Sequence, residues 1–343
     1  MKRVVLVCPG RGSYTRDLLG SLAKAPVRAP ILAADAFRAG LGRSTPTELD
    51  AAPTYTSRLH VAGENASILT ATCTLADHAL IADAGAVEIV AVIGNSMGWY
   101  TALAVAGALP LTEGLRLVET MGQYQANNVI GGQVVYPLCD GDWQPVDNTA
   151  VDRLLADVPG LYVSIRLGRQ LVLGGTDDAV RNALARLPAR KAGERDAPFQ
   201  LPLHSAFHTP LMTATAERAA ADLADLALVA PRVPLVDGRG GVWFPRHADP
   251  AALLDYTLGA QVVAPYDFTL SVRTAMREFA PGALVLLGPG GNLGGAVAQA
   301  LIDERWANLR TKADFQDRQA VDPIVWSLTR PEQRRLALGA ATA

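Results

Sequence analysis

Residues Gly94-Asn95-Ser96-Met97-Gly98 lie between the apolar run Val90-Ala91-Val92-Ile93 and the helix-forming stretch Tyr100-Thr101-Ala102-Leu103-Ala104-Val105-Ala106. Strand, G-x-S-x-G and helix in that order read as a nucleophile elbow. The two glycines let the chain reverse sharply, lifting the Ser96 hydroxyl above a sheet edge and turning helix N–H groups toward it. An oxyanion forming beside Ser96 would meet the amide of Met97, the residue after the nucleophile. The alternative is a Gly-Ser turn that merely joins a strand to a helix.

A serine hydroxyl needs a base to become a nucleophile. The chain has five histidines. His60, in a polar stretch near Arg58, is expected at the surface. His78 falls on a helical stretch, Leu75–Ile81, where a partly buried structural histidine is expected. His247 sits in the charged, Pro-flanked Pro245-Arg246-His247-Ala248-Asp249-Pro250, a solvated loop. That leaves Leu201-Pro202-Leu203-His204-Ser205-Ala206-Phe207-His208-Thr209-Pro210-Leu211-Met212, whose two histidines are equally good bases on chemistry alone.

With 343 residues, 50% of them hydrophobic, the chain can build a large core and a small inserted domain. A net charge of −2 without a basic run argues against nucleic acid as a partner. The apolar run between Arg3 and Pro9 is too short for a signal-peptide core, and no stretch approaches the roughly 20 apolar residues of a membrane span. The three cysteines, Cys8, Cys73 and Cys139, are scattered without metal-ligand spacing. A cytoplasmic protein without metal or membrane attachment is the expectation.

Short apolar strands at 4–7, 89–93 and 284–287 suit a buried parallel sheet. Helical periodicity marks 66–84, 100–108, 213–226 and 295–301. Between Gly132 and Leu201 the texture changes. The β-prone Val134-Val135-Tyr136 precedes a helical stretch at 151–157, strands at 161–165 and 170–175, and a helix capped by Thr176. That β-α-β-β-α order suggests a ferredoxin-like insert. The charged segment 303–343, with Trp306 and Trp326, reads as a helical extension packed on the large domain.

Motifs along residues 1–302 resemble the malonyl-CoA:acyl-carrier-protein transacylase family, which includes the acyltransferase domains of fatty acid and polyketide synthases. Val4-Val5-Leu6-Val7-Cys8-Pro9-Gly10-Arg11-Gly12-Ser13 resembles the family's opening F-P-G-Q-G-S, and the elbow its G-H-S-x-G. Ala206-Phe207-His208-Thr209-Pro210-Leu211-Met212 resembles the histidine motif, which selects His208 as the base. Leu284-Val285-Leu286-Leu287-Gly288-Pro289-Gly290 resembles the late E-x-G-P-G turn. The resemblance implies an α/β fold: a discontinuous hydrolase-like large domain (1–132 and 202–302) carrying a parallel sheet, and an inserted ferredoxin-like subdomain (133–201). The active site would lie between them, a favoured position for clefts.

It also implies a mechanism. Ser96 attacks a thioester carbonyl, His208 takes its proton, and the amides of Met97 and Arg11 hold the oxyanion. The acyl-serine then passes its acyl group to the phosphopantetheine thiol of an acyl carrier protein. Acyl-CoA and the carrier are substrates, and no further cofactor is needed. The family usually orients its histidine through a backbone carbonyl from the segment resembling Ala264–Phe268. Asp267 falls there, so a carboxylate third member is the expectation, with an exposed loop aspartate as the alternative.

The family's carboxylate-binding arginine aligns with Met121, which cannot pair with malonate. Asn95 and Trp99 replace the family's histidine and glutamate beside the elbow, and Trp99 adds apolar surface near the acyl pocket. Phe207 resembles the bulky residue of malonyl-selecting domains, and Arg11 and Arg166 are extra cleft arginines or surface charges. The balance favours a non-carboxylated acyl group. The alternatives are a hydrolase that clears acyl carrier proteins, a malonyl transferase with a relocated arginine, and a non-catalytic docking module.

Overall fold

The computed structural model describes residues 1–126 and 128–339. Its large sheet has six strands in the order Val242–Trp243, Leu235–Val236, Val87–Gly94, Lys2–Cys8, Ala283–Leu286 and Val325–Ser327. All neighbouring pairs are parallel except the Val242–Trp243 edge. The central strands show no polar alternation, because both faces are covered: Val4 to Cys8 are fully buried, as are Ala91, Val92 and Ile93. Helices Gly63–Ala84, Gly98–Val105 and Leu111–Gln123 pack together beside the elbow strand.

The segment from Arg305 onward is not purely helical. It holds helices Lys312–Val321 and Pro331–Ala337, but Val325–Ser327 between them adds a parallel strand beside Ala283–Leu286. Trp326 is buried there, its indole Nε1 donating to the Pro323 carbonyl at 2.7 Å. Three residues of strand carry too little periodicity to register in a charged context. Residues 340–343 lie outside the described residues.

Between Gly132 and Gln200 a second sheet forms. It comprises Gly132–Pro137, Leu161–Leu167, Gln170–Gly175 and Phe199–Gln200, with helices Thr149–Asp157 and Asp177–Arg186 between strands and a small hairpin at Arg190–Ala192 and Arg195–Ala197. Its residues alternate between two cores. Val134, Tyr136, Leu171 and Leu173 pack with helix residues Leu154 and Val180, whereas Val135, Ile165 and Val172 join the main core of the large sheet. The large domain's chain returns to lay Tyr266–Asp267 alongside Leu161–Leu167 in parallel, so one sheet draws strands from both parts.

His60 is not at the surface. It is buried, stacked on Tyr55 with ring centroids 4.8 Å apart, and its Nε2 lies 3.0 Å from the Leu49 carbonyl. A polar stretch in sequence hides a ring that packs as an aromatic. Among the described residues no helix is long and apolar enough to cross a membrane.

Candidate active site

The elbow is built by close backbone contact. A Cβ at Gly98 would stand 2.2 Å from the Cys8 carbonyl oxygen, and one at Gly94 would stand 2.4 Å from the Gly98 carbonyl. Only glycine lets strand, turn and helix approach so nearly. Ser96 between them takes φ +55°, a left-handed conformation that costs a non-glycine residue roughly 1–2 kcal/mol. That strain holds its hydroxyl out of the turn.

The histidine that meets Ser96 arrives from a distant segment. His208 also has positive φ, +62°, and its backbone N–H donates to the Val262 carbonyl at 2.7 Å. Its Nε2 lies 2.7 Å from Ser96 Oγ, and its Nδ1 lies 2.6 Å from the Gln261 carbonyl oxygen. A carbonyl oxygen can only accept, so Nδ1 carries the hydrogen and Nε2 is left to accept from the serine. Burial pushes the His208 pKa down to about 4, against a smaller upward effect of the Gln261 bond. The ring is therefore neutral at pH 7, the form a general base requires.

Gln261 had no signature in the sequence. It follows a π-helical turn, Tyr256–Ala260, that presents its carbonyl to His208. Its side chain returns to the elbow: Nε2 donates to the Ser96 carbonyl at 3.1 Å, and Oε1 accepts from Tyr100 Oη at 2.7 Å. One residue thus bonds both the His208 ring and the backbone of Ser96.

Asp267 is not the orienting group. Its carboxylate caps helix Phe268–Phe279, accepting from the Leu270 amide at 2.8 Å, and faces Arg166 at 3.9 Å. An aspartate just before a helix satisfies free N–H groups there, which binds it locally. Arg166 is likewise absent from the pocket. Ile165 and Leu167 line it, and strand alternation sends the intervening side chain to the other face, half exposed. Trp99 is fully buried in the core, with Nε1 donating to Thr257 Oγ1 at 3.1 Å and its ring edge-on to Tyr256. Met97 and Tyr100 line the pocket, so the helix turns Trp99 away.

The pocket itself, about 250 Å³, lies between the two sheets. Ser96, His208, Asn95, Met97, Met121, Phe207 and Arg11 all border it. Met121 offers a buried apolar wall. The backbone N–H groups of Met97 and Arg11 donate to no protein acceptor among the described residues. The Arg11 guanidinium is spent on neutral acceptors: Nε to His204 Nε2 at 3.2 Å, Nη1 to Gln125 Oε1 at 2.7 Å, and Nη2 to the Leu203 carbonyl at 2.5 Å. His204, with Nδ1 2.9 Å from the Pro202 carbonyl, has both ring nitrogens engaged away from Ser96.

An elbow serine on a parallel sheet, paired with a histidine under a second small sheet, defines an α/β enzyme of acyl-group chemistry. The chain belongs to the acyl transferase domain family, whose model matches residues 5–241. It is 27% identical to the malonyl CoA-acyl carrier protein transacylase of Mycobacterium tuberculosis over 329 residues, 92% of this chain and 98% of that one. The crystal structure of an acyl-carrier-protein S-malonyltransferase from Burkholderia pseudomallei matches with a TM-score of 0.76 at 24% identity, covering 99% and 100% of the two chains. A malonyl-transacylase solved in complex with its type II polyketide synthase acyl-carrier protein matches with a TM-score of 0.71 at 22% identity, covering 88% and 93%.

Proposed function

We propose that this acyltransferase moves an acyl group from an acyl-CoA thioester to the phosphopantetheine thiol of an acyl carrier protein through an ester on Ser96. The contact that supports this reading is Ser96 Oγ to His208 Nε2, 2.7 Å. The serine gives its proton to Nε2 and attacks the thioester carbon. The tetrahedral oxyanion sits against the free amides of Met97 and Arg11. Collapse breaks the C–S bond, and the departing thiolate takes the proton from His208. In the second half the carrier thiol gives its proton to His208 and attacks the acyl carbon; the ester C–O bond breaks, and Ser96 Oγ takes the proton back from His208 Nε2.

The acyl group is uncharged in this reading. Met121 presents no donor, and the Arg11 side chain already serves acceptors on His204, Gln125 and Leu203. A carboxylate buried against such a wall would lose its hydration without a partner. The second reading, malonyl transfer, draws on the names of the relatives and on Arg11, a cation that lines the pocket and bonds only neutral acceptors there.

Intact-protein mass spectrometry after incubation with acetyl-, longer acyl- and malonyl-CoA decides between them. An acyl adduct that disappears in Ser96→Ala, and leaves when holo carrier protein is added, is the expected result. No adduct with any thioester would overturn the proposal.

A further inference from the structure

Arg11 touches both sides of the site. It belongs to the loop that follows strand Lys2–Cys8, and its side chain reaches across to the segment 201–208 that ends in the base. That segment contains two strained residues, Leu203 at φ +58° and His208 at φ +62°. Such conformations last only where the surroundings enforce them. Packing does not hold Leu203, whose side chain is 43% exposed. Its carbonyl is held by Arg11 Nη2 at 2.5 Å, and the next residue, His204, accepts from Arg11 Nε. Gln125 completes the clasp: its Oε1 takes Nη1 of Arg11 and the Ser205 amide at 2.7 and 3.3 Å. The guanidinium fits because residue 63 has no side chain; a Cβ there would stand 2.6 Å from Nη1.

We propose that the Arg11 side chain is a positioning residue, a latch across the cleft that holds the Leu201–His208 segment and so keeps His208 on Ser96. The inference rests on reading Ser96 and His208 as nucleophile and base. A planar fork reaching three acceptors in fixed directions suits arginine and not lysine, a point charge on a flexible stem. The arginine thereby acts through the histidine segment and leaves the acyl group untouched.

The test measures Ser96 phosphonylation by a fluorophosphonate probe in the full chain, beside acylation by acetyl-CoA and malonyl-CoA. Arg11→Gln, Arg11→Lys and Gly63→Ala are compared with the unaltered enzyme. Gly63→Ala keeps the arginine and displaces its tip most, with Gln125 Cβ at 3.0 Å and the Gly122 carbonyl at 3.2 Å the next atoms met, so it remains informative if the Arg11 variants fold poorly. Each variant is expected to slow phosphonylation about tenfold to a hundredfold and to slow both acylations by the same factor. The acid limb of the phosphonylation profile should also move up from about 4 toward the ordinary histidine range, as a loosened His208 regains water. Unchanged rates and an unchanged limb in Arg11→Gln and Gly63→Ala would overturn the latch. So would a loss confined to malonyl, which would make Arg11 a carboxylate clamp. The phosphonate reports on His208 even if no thioester acylates Ser96, so the latch and the transfer reaction fail separately.

Discussion

His208 Nδ1 donates to the main-chain carbonyl of Gln261 at 2.6 Å, and Gln261 in turn donates through its side chain to the carbonyl of Ser96 at 3.1 Å. The imidazole is thus oriented by a neutral dipole. An imidazolium formed during attack on the substrate gains a hydrogen bond there but no opposing full charge. The buried ring starts neutral, and Ser96 and His208 are tied together through a single residue.

From this arrangement, Ser96→Ala or His208→Ala should each lower turnover by about three to six powers of ten, and the double variant should fall little further. Asp267→Ala should leave kcat near the unaltered value. Its cost should appear in stability, about 1 kcal/mol for a lost helix N-cap. Steady-state transfer assays and urea midpoints separate the two effects. An Asp267→Ala loss comparable to that of His208→Ala would falsify orientation by the Gln261 carbonyl.

Met121 is buried against the pocket, where an arginine side chain would reach toward the acyl group. Met121→Arg should shift labelling of Ser96 from uncharged acyl groups toward malonyl. A charge-assisted contact contributes roughly 1.5–3 kcal/mol, about tenfold to a hundredfold in selectivity. The check is the ratio of malonyl to acetyl adduct formed at early times. Faster malonyl than acetyl labelling of the unaltered enzyme would instead support the malonyl reading.

Much of this was legible in the sequence because it rests on backbone demands. The elbow glycines, the buried strands at 4–7 and 89–93, and the Pro-bounded histidine segment each leave a local pattern. What stayed hidden depends on direction or on main-chain atoms. The group orienting His208 is a backbone carbonyl, as the resemblance implied, but it belongs to Gln261, just ahead of the segment that resembles the family's, so Asp267 drew the assignment by its aligned place and its carboxylate. Trp99 and Arg166 are one position away from pocket residues, and helix and strand periodicity turned both aside. The strand Val325–Ser327 was too short to show its period.

The buried histidines make stability depend on pH. An unfolded imidazole titrates near 6.5, and folded His208 near 4, so between those values the unfolded chain binds more protons. Stability present above about pH 6.5 should therefore be lost as the pH falls toward 4, with a slope of up to about 1.4 kcal/mol per unit for each such histidine. His204 adds to this in the same direction, lowered first by burial and then by the charge of Arg11. Urea midpoints at pH 7, 6 and 5 should decline in order. Constant midpoints across that range would mean that His208 is not held neutral by burial.

The fate of the acyl-enzyme separates transferase from hydrolase. A transferase must exclude water from the ester while admitting a long pantetheine arm. The walls beside Ser96 favour dryness: Met97, Met121, Val135, Ile165 and Phe207 border the pocket, and the ring of His208 is 1% exposed. The side-chain amide of Gln261 bonds the Ser96 carbonyl and Tyr100 Oη. Acylated Ser96 should therefore persist in buffer and discharge rapidly when holo carrier protein is added. The lifetime of the adduct, followed by mass with and without carrier, is the measurement. Rapid loss at the same rate in both samples would mean that water reaches the ester freely, and the enzyme would then be a thioester hydrolase built on a transferase fold.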